Sequence, residues 1–276
     1  MTLRPLISAA EALDLFSRNA ALFLDASWTF AAGPSALADG FIPRSQRFDI
    51  DTIKDETSPL PHMLPDESVF AAHVGALGIS PSDTVIVWDR YGNFSAPRAW
   101  WMFKAMGHDR VAVLDGGLTA WMEAGGPVDD HPALPPKSAS FYEARLQPER
   151  IADRACVLDA IQTGSHQIAD ARGAARFYAR VPEPRPDMRG GHMPGARHLH
   201  YAGIIGDRGQ INAQANLFDD AGLDLSAPLI TTCGSGVTAC ILALTAELNG
   251  RVARVYDGSW SEWGTRDDTP IVTPDA

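Results

Sequence analysis

A cysteine at the end of an apolar segment is the residue best suited to chemistry in this sequence. Cys233 follows the run Pro-Leu-Ile-Thr-Thr at 228–232, and residues 233–240 read Cys-Gly-Ser-Gly-Val-Thr-Ala-Cys before a helix-like stretch. This order predicts a cysteine at a strand-to-helix corner. Gly234 and Gly236 can adopt backbone angles closed to other residues, so that successive amides turn toward the sulfur. These amides and the positive end of the helix favour the reactive thiolate. The plainer alternative is a small buried core cysteine.

The composition limits the classes of function. The chain has 276 residues, 45% of them hydrophobic, which favours about two domains. A formal net charge of -11 argues against nucleic acid or an anionic membrane as a partner. No apolar run approaches the roughly 20 residues that span a bilayer, and the start lacks the apolar segment of a signal peptide, so we expect a cytoplasmic protein. Three cysteines and no zinc-like spacing predict reduced thiols, no metal and no cofactor.

An internal repeat organises the chain. Residues 24–26 recur at 169–171, residues 40–43 at 191–194, and residues 114–117 at 256–259. The strand at 84–89 matches residues 229–233, which sets Asp89 opposite Cys233 at an offset of 144 (233 − 89). In each half, apolar strands alternate with helical patterns, which predicts a parallel sheet with helices on both faces. Sites in such sheets form at the carboxyl ends of strands. Because a carboxylate cannot carry sulfur, we expect a silent N-terminal half and a substrate crevice between the halves.

The cysteine loop and segments distributed along the chain resemble one protein family. They are similar to the two-domain sulfurtransferases of the rhodanese superfamily, specifically the 3-mercaptopyruvate sulfurtransferase branch. Beyond the loop, the similar segments are residues 49–51, 62–65, 95–98, 114–117, 182–185, 191–195 and 256–260. The resemblance implies an α/β fold of two tandem rhodanese-like domains. We assign residues 1–135 to a catalytically silent domain, 136–148 to a linker and 149–276 to the catalytic domain.

Two positions of the cysteine loop indicate which sulfur donor the site would accept. Thiosulfate-using members of the family usually carry Arg and Lys where this chain has Gly234 and Ser235, and those cations suit a dianion. Phosphatases with a similar loop typically have Arg at the position of Ala239. The loop therefore favours 3-mercaptopyruvate as donor and Cys233 as the nucleophile that becomes a persulfide. Three alternatives stay open: a thiosulfate:cyanide sulfurtransferase, a non-catalytic persulfide carrier and a phosphatase-like enzyme.

The resemblance implies roles for further residues. Ser235, His62 and Asp51 correspond to a serine–histidine–aspartate arrangement, although His62 could be an ordinary loop residue and Asp51 a helix cap. Arg176 and Arg185 correspond to the arginines that hold the substrate carboxylate. The loop residues Gly234, Gly236, Val237 and Thr238 are also assigned to substrate binding.

Other residues are expected to have structural roles. We interpret Arg172, Arg180 and Arg189 as solvated loop arginines paired with Glu183 or Asp187. Cys240 is expected in the core, with a redox partnership with Cys233 as the alternative. The tryptophans assigned to packing or to the rim of the site are Trp100, Trp101, Trp260 and Trp263. The expected acceptors are thiols, thioredoxin among them, or cyanide.

Overall fold

The structure is a computed structural model that describes residues 3–30, 33–133 and 138–273. These residues form two compact units. Unit 1 comprises the described parts of Met1–Thr57, Leu64–Gln147 and Ile205–Asn212, and unit 2 those of Ser58–Met63, Pro148–Ile204 and Ala213–Ala276. The predicted linker at 136–148 begins outside the described residues, as does the boundary before it. The predicted domain limits therefore stay a prediction.

Unit 1 is built around a five-stranded parallel sheet in the order β1-β5-β4-β2-β3. Its strands are β1 (Leu6–Ile7), β2 (Leu22–Asp25), β3 (Gln46–Arg47), β4 (Val85–Trp88) and β5 (Val111–Leu114). Its helices are α1 (Ala9–Ser17), α2 (Glu67–Ala76), α3 (Ala96–Ala105) and α4 (Gly117–Glu123). Every residue of β4 is buried, so both faces of this central strand are covered, as in parallel sheets flanked by helices.

Side-chain caps fix where two of these helices begin. Ser8 and Glu11 form a capping box at α1, with Ser8 N donating to Glu11 Oε2 at 2.9 Å. Asp66 accepts from Val69 N at 2.8 Å at the start of α2. These backbone hydrogen bonds are the main cause that lowers the pKa of Glu11 and of Asp66.

Unit 2 repeats this arrangement, with the strand order β6-β10-β9-β7-β8 and parallel neighbours throughout. Its strands are β6 (Ile151–Ala152), β7 (Gln167–Asp170), β8 (Arg197–His198), β9 (Leu229–Thr232) and β10 (Arg254–Tyr256). Its helices are α5 (Arg154–Thr163), α6 (Ala174–Phe177), α7 (Asn216–Asp220), α8 (Ala239–Leu248) and α9 (Ser259–Trp263), with short 3-10 turns at Pro148–Arg150 and Tyr201–Gly203. The predicted fold class and the sequence repeat are confirmed.

Aromatic side chains fill much of both cores. In unit 1, the Trp121 ring packs edge-on against Phe16 and Phe23, with centroids 5.2 and 5.5 Å apart. In unit 2, Trp260 and Trp263 pack with Tyr256 in a core cluster. The tryptophans assigned to packing are at most 1% exposed, so they serve the cores: Trp100, Trp101, Trp260 and Trp263. Among the described residues, no helix combines the length and apolar character needed to cross a membrane.

Candidate active site

The predicted strand-to-helix corner is present in unit 2. Cys233 directly follows β9, α8 begins at Ala239, and Cys233 is buried. Gly236 has a φ of +80°, in the left-handed region that favours glycine. The expectation of a special backbone angle was wrong for Gly234, which lies outside that region. Its missing side chain instead makes room for a guanidinium, because a Cβ there would lie 3.1 Å from Arg176 Nη2.

The start of α9 holds the backbone of Cys233. Cys233 N donates to Ser259 Oγ at 3.2 Å, and the Cys233 carbonyl accepts from Trp260 N at 3.0 Å. Ser259 Oγ in turn donates to the Tyr256 carbonyl at 2.7 Å. Ser259 has a φ of +49°, a strained value for a residue with a side chain. A strained serine thus fixes the position of the nucleophile's main chain.

The corresponding loop of unit 1 encloses a carboxylate. Asp89 is fully buried after β4, and its Oδ1 accepts from the N–H groups of Tyr91 and Asn93 at 2.9 Å each. Its Oδ2 accepts from Ser95 N at 2.8 Å and from Ala96 N at 2.7 Å. Burial raises the pKa of Asp89, while these donors oppose that shift. The repeat offset of 144 (233 − 89) assigns the same four loop positions in unit 2 to residues 235, 237, 239 and 240.

The two arginines of the predicted carboxylate clamp lie beside the cysteine loop. The Arg176 guanidinium lies against Gly234 and donates through Nε and Nη2 to Glu183. Arg185 reaches the loop through Ser261, since Arg185 Nη1 donates to Ser261 Oγ at 3.0 Å and Ser261 Oγ donates to the Gly234 carbonyl at 2.7 Å. Burial lowers the pKa of Arg185, and the nearby Arg176 charge adds to this effect. The structure therefore brings both arginines to one residue of the loop.

The interpretation of Arg172 as a solvated arginine was wrong. Arg172 is 2% exposed and donates to both carboxylate oxygens of Asp170, to Glu183 and to the Gly191 carbonyl. Its guanidinium also lies 4.0 Å from the centroid of the Trp260 ring. The partner Glu183 was anticipated, but the depth of burial was not, because the sequence does not show that strand β7 and the 182–185 segment enclose this side chain.

The other two arginines of that group differ from each other. Arg180 is exposed, as expected, and stacks over Tyr178. Arg189 is half-buried and donates to Thr269 Oγ1 at 2.7 Å and to the Gly264 carbonyl at 3.3 Å. The expectation of a solvated side chain was therefore wrong for Arg189 as well.

The remaining predicted loop residues are in the expected segment. Ser235 and Val237 are buried at 9% and 2% exposure, and Thr238 directly precedes α8. Cys240 is fully buried in α8, where its Sγ lies 3.2 Å from the Gly236 carbonyl, so the core placement is confirmed.

The structure assigns His62 and Asp51 to different units. The segment Ser58–Met63 clusters with unit 2, so His62 belongs to the same unit as Cys233 and Ser235, whereas Asp51 belongs to unit 1. His62 is 4% exposed with a φ of +60°, which differs from an ordinary surface loop residue. Asp51 lies in a turn and accepts from Trp28 Nε1 at 2.7 Å, so it does not cap a helix.

Sequence reasoning missed four residues that support these groups. They are Trp28, Glu183, Ser259 and Ser261. Glu183 was expected only as a surface partner of solvated arginines, and the supporting roles of the other three were not predicted. Ser259 is the residue that the repeat could have revealed. Residues 116–117 are both glycine, whereas the matching pair in the second half is Gly258-Ser259. Ser259 therefore places a side chain at a position where the backbone has a positive φ, as Gly117 does in the first half.

The fold and the site define an α/β protein built from a repeated domain, one copy of which carries a cysteine loop. The family model for the rhodanese-like domain matches residues 8–124 and 153–266. The chain belongs to the rhodanese-like family, and the resemblance seen in the cysteine loop and the flanking motifs is confirmed.

Individual sulfurtransferases and one solved structure are similar to most of this chain. The chain is 40% identical over 237 residues to a 3-mercaptopyruvate sulfurtransferase of Escherichia coli K12, covering 84% of this chain and 83% of the relative. It is 39% identical to a thiosulfate sulfurtransferase of Cricetulus griseus, covering 87% of this chain and 84% of the relative. The crystal structure of the Tum1 protein from Saccharomyces cerevisiae superposes with a TM-score of 0.87 at 32% identity, covering 99% of each chain.

Proposed function

We propose that this protein is a 3-mercaptopyruvate sulfurtransferase with Cys233 as its nucleophile. Its relatives support sulfur transfer. The sequence identity is nearly the same to a 3-mercaptopyruvate enzyme (40%) and to a thiosulfate enzyme (39%), so the choice between the two sulfur donors rests on the site. The observation that carries the choice of donor is the arrangement at Gly234. The loop itself has no cation there, and Arg176 approaches from α6 into the space that a side chain at this position would occupy. This arrangement suits a donor whose single carboxylate lies two carbon atoms away from a neutral sulfur better than it suits a compact dianion.

The reaction balances without an outside oxidant. The Cys233 thiolate attacks the sulfur of 3-mercaptopyruvate, and a sulfur–sulfur bond forms as the sulfur–carbon bond breaks. The electron pair of the broken bond leaves as the pyruvate enolate, which takes a proton at carbon to give pyruvate. An acceptor thiolate or cyanide then attacks the outer sulfur of the persulfide and restores the Cys233 thiolate.

Several side chains would serve this reaction. Arg176 and Arg185 would bind the donor carboxylate, and Ser235 would pass a proton to the developing enolate. His62 would act on Ser235, and the role of Asp51 in this arrangement is proposed from the family resemblance. The left-handed backbone of His62 supports a functional constraint at this residue. The N–H groups of residues 235, 237 and 239 would hold the persulfide, by analogy with the N–H groups of residues 91, 93 and 95 that hold the Asp89 carboxylate in unit 1.

Intact-mass analysis with each donor tests the proposed function. After incubation with 3-mercaptopyruvate, we expect one added sulfur atom on the wild type, none on Cys233→Ser, and release of pyruvate. Thiosulfate should load the protein more slowly. Faster loading from thiosulfate would instead indicate a thiosulfate sulfurtransferase, and no loading from either small donor would indicate a carrier that takes sulfur from a protein.

The acceptor and the cellular location are proposed on sequence grounds alone. We propose thiols as acceptors, thioredoxin among them, and a cytoplasmic location. The silent role of residues 1–135 is part of the same proposal, and the burial of Asp89 in place of a thiol supports it.

A further inference from the structure

Two arginines converge on Gly234, and each is held by a different side chain. A Cβ built on Gly234 would lie 3.1 Å from Arg176 Nη2 and 3.4 Å from Arg176 Nη1, so this guanidinium lies directly against the residue after the nucleophile. Burial is the main cause that lowers the pKa of Arg185, and the nearby Arg176 charge lowers it further, whereas Cys233 raises it. Two cations that share a partly desolvated space repel each other. Something must therefore fix where each one lies.

Glu183 fixes Arg176. Its Oε2 accepts from Arg176 Nε at 3.0 Å and also from Arg176 Nη2, which engages one edge of the guanidinium. Its Oε1 accepts from Arg172 Nη1 at 2.9 Å, and Arg172 is in turn bound by Asp170. The side chains of Glu183, Arg172 and Asp170 are 1% exposed and so are shielded from water, whereas Arg176 at the end of this chain of charges is 26% exposed. Glu183 thus binds Nε and Nη2 of Arg176, and Nη1 lies 3.4 Å from the Cβ position of Gly234.

Ser261 fixes Arg185. Its Oγ accepts from Arg185 Nη1 at 3.0 Å and donates to the Gly234 carbonyl at 2.7 Å, while its own N–H donates to the same carbonyl at 2.9 Å. The serine therefore links the second arginine to the residue against which the first one packs. Ser261 lies in α9, the helix that also anchors the Cys233 backbone through Trp260 N.

We infer that Glu183 and Ser261 are positioning residues that set Arg176 and Arg185 at a fixed place beside Cys233 and so direct the carboxylate of the donor. The inference rests on the proposed function, since it assumes that these arginines bind a carboxylate. Neither residue touches the reacting atoms. Both act through an arginine, so their removal weakens donor binding more than the chemical step.

The test is a pair of double-mutant cycles with 3-mercaptopyruvate as the varied donor. Glu183→Gln alone should raise KM about tenfold and Ser261→Ala roughly three- to tenfold, with kcat within about twofold of wild type. Arg176→Ala should abolish the further effect of Glu183→Gln, and Arg185→Ala that of Ser261→Ala, because each positioning residue then has nothing to hold. Ser261→Thr, which keeps the hydroxyl, should restore most of the affinity.

Matched control variants separate positioning from folding. Glu247→Gln removes a partly buried ion-pair partner of unit 2, which binds Arg150 at 2.6 Å. Thr163→Ala removes a hydroxyl of α5 that donates to the Asp159 carbonyl at 2.8 Å. Neither should change KM. Effects of Glu183→Gln and Ser261→Ala that stay undiminished in the arginine-free backgrounds, or that fall on kcat alone, would overturn the inference. A wild type that releases no pyruvate would refute the proposed function instead, so the two failures are distinguishable.

Discussion

At the scale of the residue, the loop after β4 and the loop after β9 differ in the chemistry of one side chain. Asp89 accepts hydrogen bonds from four backbone N–H groups of its own loop, so this turn already holds a carboxyl group of the protein. At the corresponding place in unit 2 stands Cys233, whose thiolate is an anion that can attack. The strand–loop–helix corner is common to both units, and only the thiol can accept and release sulfur.

This contrast predicts the behaviour of the three cysteines. Cys233→Ser should lower sulfur transfer roughly a thousandfold or more, because the hydroxyl forms no persulfide. Cys156→Ser and Cys240→Ser should keep most of the activity, since Cys156 lies in α5 and Cys240 in the core of α8. Pyruvate release measured on all three variants decides the matter. Substantial turnover by Cys233→Ser, with its fold intact by circular dichroism, would contradict the assignment.

At the scale of the element, the strand–loop–helix corner of unit 1 should depend on its carboxylate. Asp89→Asn places an amide NH2 against loop N–H donors, so one buried oxygen is lost as an acceptor. We expect a loss of about 2–4 kcal/mol in the free energy of unfolding. Urea denaturation measures it, with the exposed Asp130→Asn as the control. Equal stability of both variants would mean that the loop does not need the carboxylate.

The catalytic corner makes a prediction about donor choice. Gly234→Arg with Ser235→Lys adds two cations and removes the hydroxyl, and the new arginine also displaces Arg176 from its place against Gly234. The ratio of specificity constants should shift toward thiosulfate by roughly ten- to hundredfold, as expected for charged contacts. Both donors are assayed with one common acceptor. An unaltered ratio, or a wild type already faster on thiosulfate, would show that the loop does not select the donor.

The elements also show how far the sequence could predict this molecule. Apolar runs such as Val85–Trp88 and the glycine at Gly236 encode strand and turn locally, so the corner and the repeat were predictable. The surroundings of Arg172 were not, because the guanidinium is covered by the ring of Trp260, which lies 88 residues later in the chain (260 − 172). For the same reason, the need for glycine at Gly234 was explained wrongly. The cause is a guanidinium 58 residues earlier in the chain (234 − 176), rather than a backbone angle.

At the scale of the whole molecule, buried imidazoles should make the fold sensitive to acid. Desolvation is the main cause that lowers the pKa of four histidines among the described residues: His108, His166, His192 and His200. His108 is the most enclosed, at 3% exposure, stacked on Tyr142 with its Nε2 at 3.0 Å from the Asp83 carbonyl. A folded state that resists protonation binds fewer protons than the unfolded chain.

The sign of the effect on stability follows from that difference. Above the ordinary histidine pKa of 6.5, His108 is neutral in both the folded and the unfolded state and adds no pH dependence. As the pH falls below 6.5, His108 binds a proton in the unfolded chain but stays neutral in the folded state. The free energy of unfolding therefore falls, by up to about 1.4 kcal/mol per pH unit for this residue. His108→Phe keeps the ring contacts with Phe103 and Tyr142 but cannot titrate, so its stability should fall less steeply between pH 7 and pH 5. Urea denaturation across that range measures the slope, with the exposed His131→Gln as a control that keeps the wild-type slope. If His108→Phe lost stability as steeply as wild type, the acid sensitivity would have to come from groups other than this buried imidazole.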